Sequence, residues 1–174
     1  MTEEVILVDQ DDRVLGTMEK LEAHQTGVLH RAFSVFLFNS RNELLLQQRA
    51  LDKYHSAGLW SNTCCSHPRP GEDSMAAAKR RLWEEMGLSA DLKFISKLPY
   101  KTRFENGLFE HELDYIYIGK TDSLPTINPE EAKDFKYLSF QQIKAELKSR
   151  PDQYTVWFKL ALPQIEQFCK LTGD

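Results

Sequence analysis

No stretch of this chain approaches the roughly 18 consecutive apolar residues of a membrane-spanning helix, and the 174 residues hold neither an internal repeat nor a low-complexity tract. No membrane span is expected, and the acidic start Met1-Thr2-Glu3-Glu4 predicts no secretory signal. Positive charge is also short: 22 Lys and Arg against 26 Asp and Glu leave a net charge of −4 and a pI near 5.8. That balance excludes the broad basic footprint of a nucleic-acid binder. The local cations Arg49, Lys53, Lys79, Arg80 and Arg81 suit a small anion rather than a polymer. Cysteine is scarce and odd in number, three with two adjacent, so no disulfide framework is expected. A reducing cytoplasm is the expected compartment, and it leaves Cys65 a free thiol.

What is present suits one globular domain over residues 1–174, with 41% apolar residues to form a core. Val5 to Val8 and Val14 to Thr17 read as short strands, and Lys20 to His24 as one helical turn. Arg31 to Asn39 and Leu44 to Gln48 form a predicted hairpin through Ser40-Arg41-Asn42. Asp52 to Leu59 is loop, Trp60 to Cys65 a strand, and Pro68-Arg69-Pro70-Gly71 a turn. Met75, Ala78, Leu82 and Met86 recur at helical spacing, so Ser74 to Met86 is a helix with Gly87 at its C-terminal cap. Strands follow over Leu92 to Tyr100, Phe109 to Ile118 and Phe135 to Leu138. Ser139 caps a helix to about Ser149, and a last helix spans Val156 to Leu171 with a bend at Pro163. Strands flanked by helices, with mixed pairing, predict an α/β sandwich.

Cys65 stands two residues before His67, a combination open to a nucleophile pair, a metal site or a plain strand. His24 and His30 upstream and Glu110-His111-Glu112 downstream favour one divalent ion with a thiol beside it. Glu110 and Glu112 are two apart on a predicted strand, hence on one face about 7 Å apart, and Asp114 extends the stripe. A solvated strand face explains the acid pair alone; three histidines added to it do not fit that explanation. His55 and His111 fall outside the set and read as structural.

The segment Ser66 to Leu88 resembles the Nudix box, with Glu72, Arg80, Leu82, Glu84, Glu85, Gly87 and Leu88 in register. The competing reading is an amphipathic helix with salt-bridged flanks. Ser66 departs from the box's first glycine, and Arg81 replaces the first Glu of its helix. In Nudix hydrolases that Glu helps hold the magnesium ions that activate attack on a diphosphate. An arginine repels such a cation and attracts phosphate, which points away from hydrolysis.

Further runs extend the likeness: Met18-Glu19-Lys20, His24, Leu29 to Ser34, Gln48-Arg49-Ala50, Trp60 to Pro68, Tyr100-Lys101 and Glu110 to Tyr115. Together, over roughly residues 4 to 162, they resemble the type I isopentenyl-diphosphate isomerases. The resemblance implies a Nudix-type α/β/α sandwich with a mixed sheet that interconverts isopentenyl and dimethylallyl diphosphate. It assigns Cys65 and Glu112 to proton transfer on opposite faces of the alkene, with Tyr100 assisting. It places one transition metal, Mn²⁺ or Zn²⁺, among His24, His30, His67, Glu110 and Glu112. Lys20, Arg49, Lys53 and Arg81 match its phosphate contacts, and Glu85 would carry a Mg²⁺ that accompanies the diphosphate. Trp157 matches the indole set over the hydrocarbon end, where its π-face suits a cation; core packing explains a tryptophan there equally well. The partner implied is a small prenyl diphosphate. Oligomeric state stays open, with a monomer favoured because the family includes monomers.

Such an isomerisation needs an acid, a base, a cation-stabilising wall and no water. A buried thiol trades a proton without a full charge nearby, and a carboxylate is tuned by metal and hydrogen bonds. The plain reading of Cys65 is a small core hydrophobe, which is the expected role of Cys64 on the opposite strand face. Two rivals stand beside the isomerase: a Nudix hydrolase of a nucleotide or prenyl diphosphate, and a non-catalytic binding module stabilised by metal.

Overall fold

The computed structural model describes residues 2–173; Met1 of the acidic start and Asp174 at the end of the expected domain lie outside the described residues. In chain order the elements are β1 (Glu4–Val8), β2 (Val14–Glu19), α1 (Lys20–Thr26), β3 (His30–Phe38), β4 (Leu44–Arg49), β5 (Trp60–Ser61) and β6 (Cys64–Ser66). Then come α2 (Ser74–Met86), β7 (Leu92–Arg103), β8 (Phe109–Lys120), β9 (Ala132–Leu138), α3 (Phe140–Ser149), a 3-10 turn (Pro151–Gln153) and α4 (Val156–Thr172). None of the described helices is long and apolar enough to cross a membrane.

β3 is the centre of the sheet because its sequence, HRAFSVFLF, is apolar enough to be buried on both faces. Along one edge it pairs in parallel with β8, from His30 opposite Glu112 to Phe38 opposite Lys120. Its other edge receives β6 antiparallel, with Ser34 opposite Cys65. Side chains alternate across the strand. Phe33, Val35 and Leu37 pack on Ala77, Ala78, Leu82 and Met86 of α2. Phe36 and Phe38 pack on Phe158, Ala161 and Ile165 of α4. The sheet lies between two helical layers, as the sequence predicts, and burial of each such Phe or Leu contributes about 1.5–3 kcal/mol.

α2 keeps its predicted bounds. Asp73 accepts a hydrogen bond from the Ala76 amide at 3.0 Å, a cap that contributes about 1 kcal/mol. Gly87 ends the helix at φ 63°, where an added Cβ would meet the Thr126 carbonyl oxygen at 2.8 Å. Two expectations change. The predicted strand Trp60 to Cys65 is two short strands, because Asn62 and Thr63 turn the chain from β4 to β3. There the Thr63 hydroxyl donates to the Leu45 carbonyl and accepts from the Leu37 amide, so it takes the place of a ladder bond on each side. The predicted hairpin of β3 and β4 closes at Phe38 opposite Leu44, after which β4 departs to pair with β9 and β5.

Candidate active site

One face of the sheet's β3–β8 region carries a cluster of histidines and acids. His24 sits on α1, its Nδ1 2.6 Å from the Lys20 carbonyl, and His30 opens β3 with Nδ1 3.0 Å from the Val28 carbonyl. Donation from Nδ1–H in each ring leaves the lone pair on Nε2. Both Nε2 atoms are buried and have no hydrogen-bond partner. His67, just beyond β6, brings its Nε2 to 2.9 Å from Oε1 of Glu112, while His30 Nε2 is 3.4 Å from the same oxygen. His24, His30, His67 and Glu112 each offer a ligand atom within 4.8 Å of the others. A buried polar atom without a partner costs about 1–3 kcal/mol, so two unpartnered Nε2 atoms, His30 nearest Glu112 and His24 nearest Glu110, fit a divalent cation held among them.

Glu110 and Glu112 do share a buried face, as predicted. The Tyr100 hydroxyl lies 2.5 Å from Glu110 and 2.7 Å from Glu112, so one phenolic proton serves two carboxylates. Tyr100 is opposite Glu112 in the β7–β8 ladder, which fixes that approach. Burial and the charge of His67 lower His24 to about 4. Burial lowers His67 as well. In His30 burial acts downward, but the adjacent Glu112 carboxylate, 3.4 Å from its Nε2, outweighs it and the ring moves up. Burial would raise Glu112; the adjacent His67 and His30 overcome this and hold it well below the ordinary carboxylate range. Burial and the Glu110 and Glu112 charges push the Tyr100 phenol up.

Cys65 projects from β6 to the same side as Ser34, while Cys64 is buried in the core beneath α2. Cys65 is half-buried and lines a cavity together with Tyr100, Glu110 and Glu112. Burial pushes the Cys65 thiol up, against the opposing charge of Arg49. Asp114 accepts from the Ser34 hydroxyl at 2.7 Å and is itself fully buried.

The predicted phosphate cations Lys20, Arg49, Lys53 and Arg81 all line this cavity, as does Glu85. Arg81 lies 2.7 Å from Glu84 and from Glu85, so the residue that departs from the Nudix box neutralises two of its acids. Glu72 is bound by Arg80 through two hydrogen bonds of 2.7 and 2.9 Å, and Arg80 also approaches Glu84. Of these acids Glu85 alone lines the cavity. Trp157, the first turn of α4, is buried, with the Arg49 guanidinium carbon 5.3 Å from its ring centroid.

The sequence reading missed Glu131, which bridges Lys53 and Arg81, and set His55 aside as structural. His55 instead lines the cavity, its Nε2 3.0 Å from Glu110. Its place two residues after Lys53 was the available signal. His111 does lie apart, its Nδ1 3.0 Å from the Gly27 carbonyl.

Residues 28–158 match the NUDIX domain family. Among solved structures the fold is similar to DR0079 from Deinococcus radiodurans (TM-score 0.71, 18% identity, 85% of this chain and 90% of that one). It is also similar to a MutT protein from Methanosarcina mazei (TM-score 0.67, 15% identity, 82% and 96%). Fold and box together define a member of the Nudix superfamily. The sequence is 53% identical to an isopentenyl-diphosphate Delta-isomerase of Pectobacterium atrosepticum, over 95% of this chain and 92% of that one. It is 52% identical to the isomerase of Serratia proteamaculans over the full length of both. The chain belongs to the isopentenyl-diphosphate Delta-isomerase family and is an enzyme of that class.

Proposed function

We propose that this enzyme moves the double bond of isopentenyl diphosphate to give dimethylallyl diphosphate, with Cys65 and Glu112 as the proton-transfer pair and Tyr100 as the assisting group. The observation that carries the assignment is a thiol and a phenol-bridged carboxylate pair lining one cavity that also presents four cations. In the forward direction the alkene π pair takes a proton at the terminal carbon and leaves a tertiary carbocation. Loss of a proton from the allylic carbon then returns its C–H pair as the new double bond. One proton enters and one leaves, so no net acid or base is consumed. The reaction is reversible, and the two groups exchange roles with its direction.

Each group suits its task. A thiol raised by burial keeps its proton at pH 7 and so is loaded to protonate the alkene; the thiolate left by that transfer is balanced by the carbocation it creates. The Glu112 carboxylate stays ionised because His67 and His30 adjoin it. Trp157 offers a π-face to the cation, and Lys20, Arg49, Lys53 and Arg81 anchor the diphosphate. His24, His30, His67, Glu110 and Glu112 would hold one divalent metal, Mn²⁺ or Zn²⁺, which supplies a fixed positive charge that tunes the carboxylates. Glu85 would carry the Mg²⁺ that accompanies the diphosphate. A single domain over 1–174 in a reducing cytoplasm, its oligomeric state open with a monomer favoured, completes the reading.

The test is direct. Incubation with isopentenyl diphosphate and divalent metal yields dimethylallyl diphosphate with no released phosphate. Phosphate release without isomerisation would instead identify a hydrolase. Neither product would leave a binding module.

A further inference from the structure

His55 belongs to the loop between β4 and β5, yet only 6% of it is exposed. Its Nε2 lies 3.0 Å from Oε1 of Glu110, the oxygen that faces His24 Nε2 at 3.9 Å. Nδ1 is 3.2 Å from the Ser56 hydroxyl, so a proton on Nε2 can face the carboxylate while Nδ1 accepts from serine. The ring stacks on Phe104, with centroids 4.6 Å apart and planes 8° apart, and stands edge-on to Trp157 at 5.8 Å. Its backbone carbonyl accepts from Arg49 at 3.2 Å. One loop residue thus touches a carboxylate of the histidine cluster, the indole wall and a phosphate-facing arginine.

We infer that His55 is a positioning residue: its Nε2–H fixes the orientation of the Glu110 carboxylate toward the metal and ties the loop between β4 and β5 (residues 50–59) to the two ends of the substrate cavity. This rests on the metal reading above. The physical need is plain. Glu110 shares one oxygen with Tyr100, and its other oxygen would be free to rotate away from His24 without a donor to hold it. The aromatic faces of Phe104 and Trp157 leave the imidazole little room to turn, so the donor is itself held in place. Outer partners of this kind change metal affinity by about 10–100-fold when removed.

The experiment compares wild type, His55→Leu and His55→Gln. Both replacements fill the space, but only the glutamine amide can donate to Glu110. Metal-stripped protein is titrated with Zn²⁺ against a chromophoric chelator, folding is checked by circular dichroism, and KM for isopentenyl diphosphate is measured in parallel. His55→Leu binds zinc about 10–100-fold more weakly and raises KM, and His55→Gln recovers most of the affinity. Wild-type affinity in His55→Leu would overturn the inference, as would a His55→Gln variant as weak as the leucine one. If His55→Leu does not fold, the glutamine variant decides alone: near-native affinity supports the donor role and a large loss removes it. A wild-type protein that binds no zinc defeats the metal reading itself, an outcome distinct from equal affinities among the three proteins.

Discussion

One carboxylate oxygen of Glu131 lies 3.1 Å from the guanidinium of Arg81, and its second oxygen takes the ammonium of Lys53. Two of the cations aligned for a diphosphate therefore already share an internal anion. An incoming diphosphate has to displace it or share its partners. Glu131→Gln keeps the shape and removes the charge, so affinity for inorganic pyrophosphate rises about three- to tenfold by calorimetry. KM falls with it while kcat is nearly unchanged. Weaker binding would mean that Glu131 acts with Glu85 to hold a cation. Arg81→Glu, by contrast, weakens pyrophosphate binding.

Cys65→Ala removes one partner of the proton transfer without touching the histidine cluster. Turnover falls by about 10²–10⁴-fold or more, with bound metal unchanged by elemental analysis. The burial that raises the thiol has a separate consequence. In the intact enzyme at pH 8, Cys65 alkylates with iodoacetamide more slowly than a free thiol, as peptide mass spectrometry can follow.

Metal removal should cost stability as well as activity. The buried Nε2 atoms of His24 and His30 have no hydrogen-bond partner to take over from a lost ion. At a free metal concentration a thousand times Kd, binding stabilises the fold by about 4 kcal/mol. Thermal melts with and without a strong chelator measure this, and identical melting temperatures would contradict it.

Asp12 supplies a pH test remote from the cavity. Its carboxylate receives Arg31 at 2.8 Å, Lys97 at 2.7 Å and the Tyr115 hydroxyl. Burial opposes ionisation, but these three donors outweigh it and hold the group below its ordinary 3.8. A lowered folded pKa means that the stabilisation is fully present above the unfolded value and is lost as pH falls through the folded one. Asp12→Asn therefore costs about 1–2 kcal/mol near neutral pH. Urea denaturation of both proteins between pH 7 and pH 3 should show this difference shrinking in acid; a constant difference would refute it.

Local pattern carried much of the fold. The period of Met75, Ala78, Leu82 and Met86, with Asp73 before it and Gly87 after it, contains α2 complete, since caps and spacing are local chemistry. The alternation Glu110, Glu112, Asp114 likewise announces a shared face. The Trp60 to Cys65 stretch was less legible, because Thr63 bonds to Leu37 and Leu45, and nothing within those six residues shows which strands will flank them.

By itself the sequence determined the Nudix-box register, the histidine and acid set, and the isomerase-type residues, since each depends on residue identity and spacing alone. Tertiary structure decided which of those groups meet: β3 lies between β6 and β8, and so brings Cys65 and Glu112 to one cavity. It also recruited His55 to Glu110 and Glu131 to Arg81 and Lys53. Those contacts join residues far apart in the chain, and their strength comes from burial and approach in space, which no local pattern encodes.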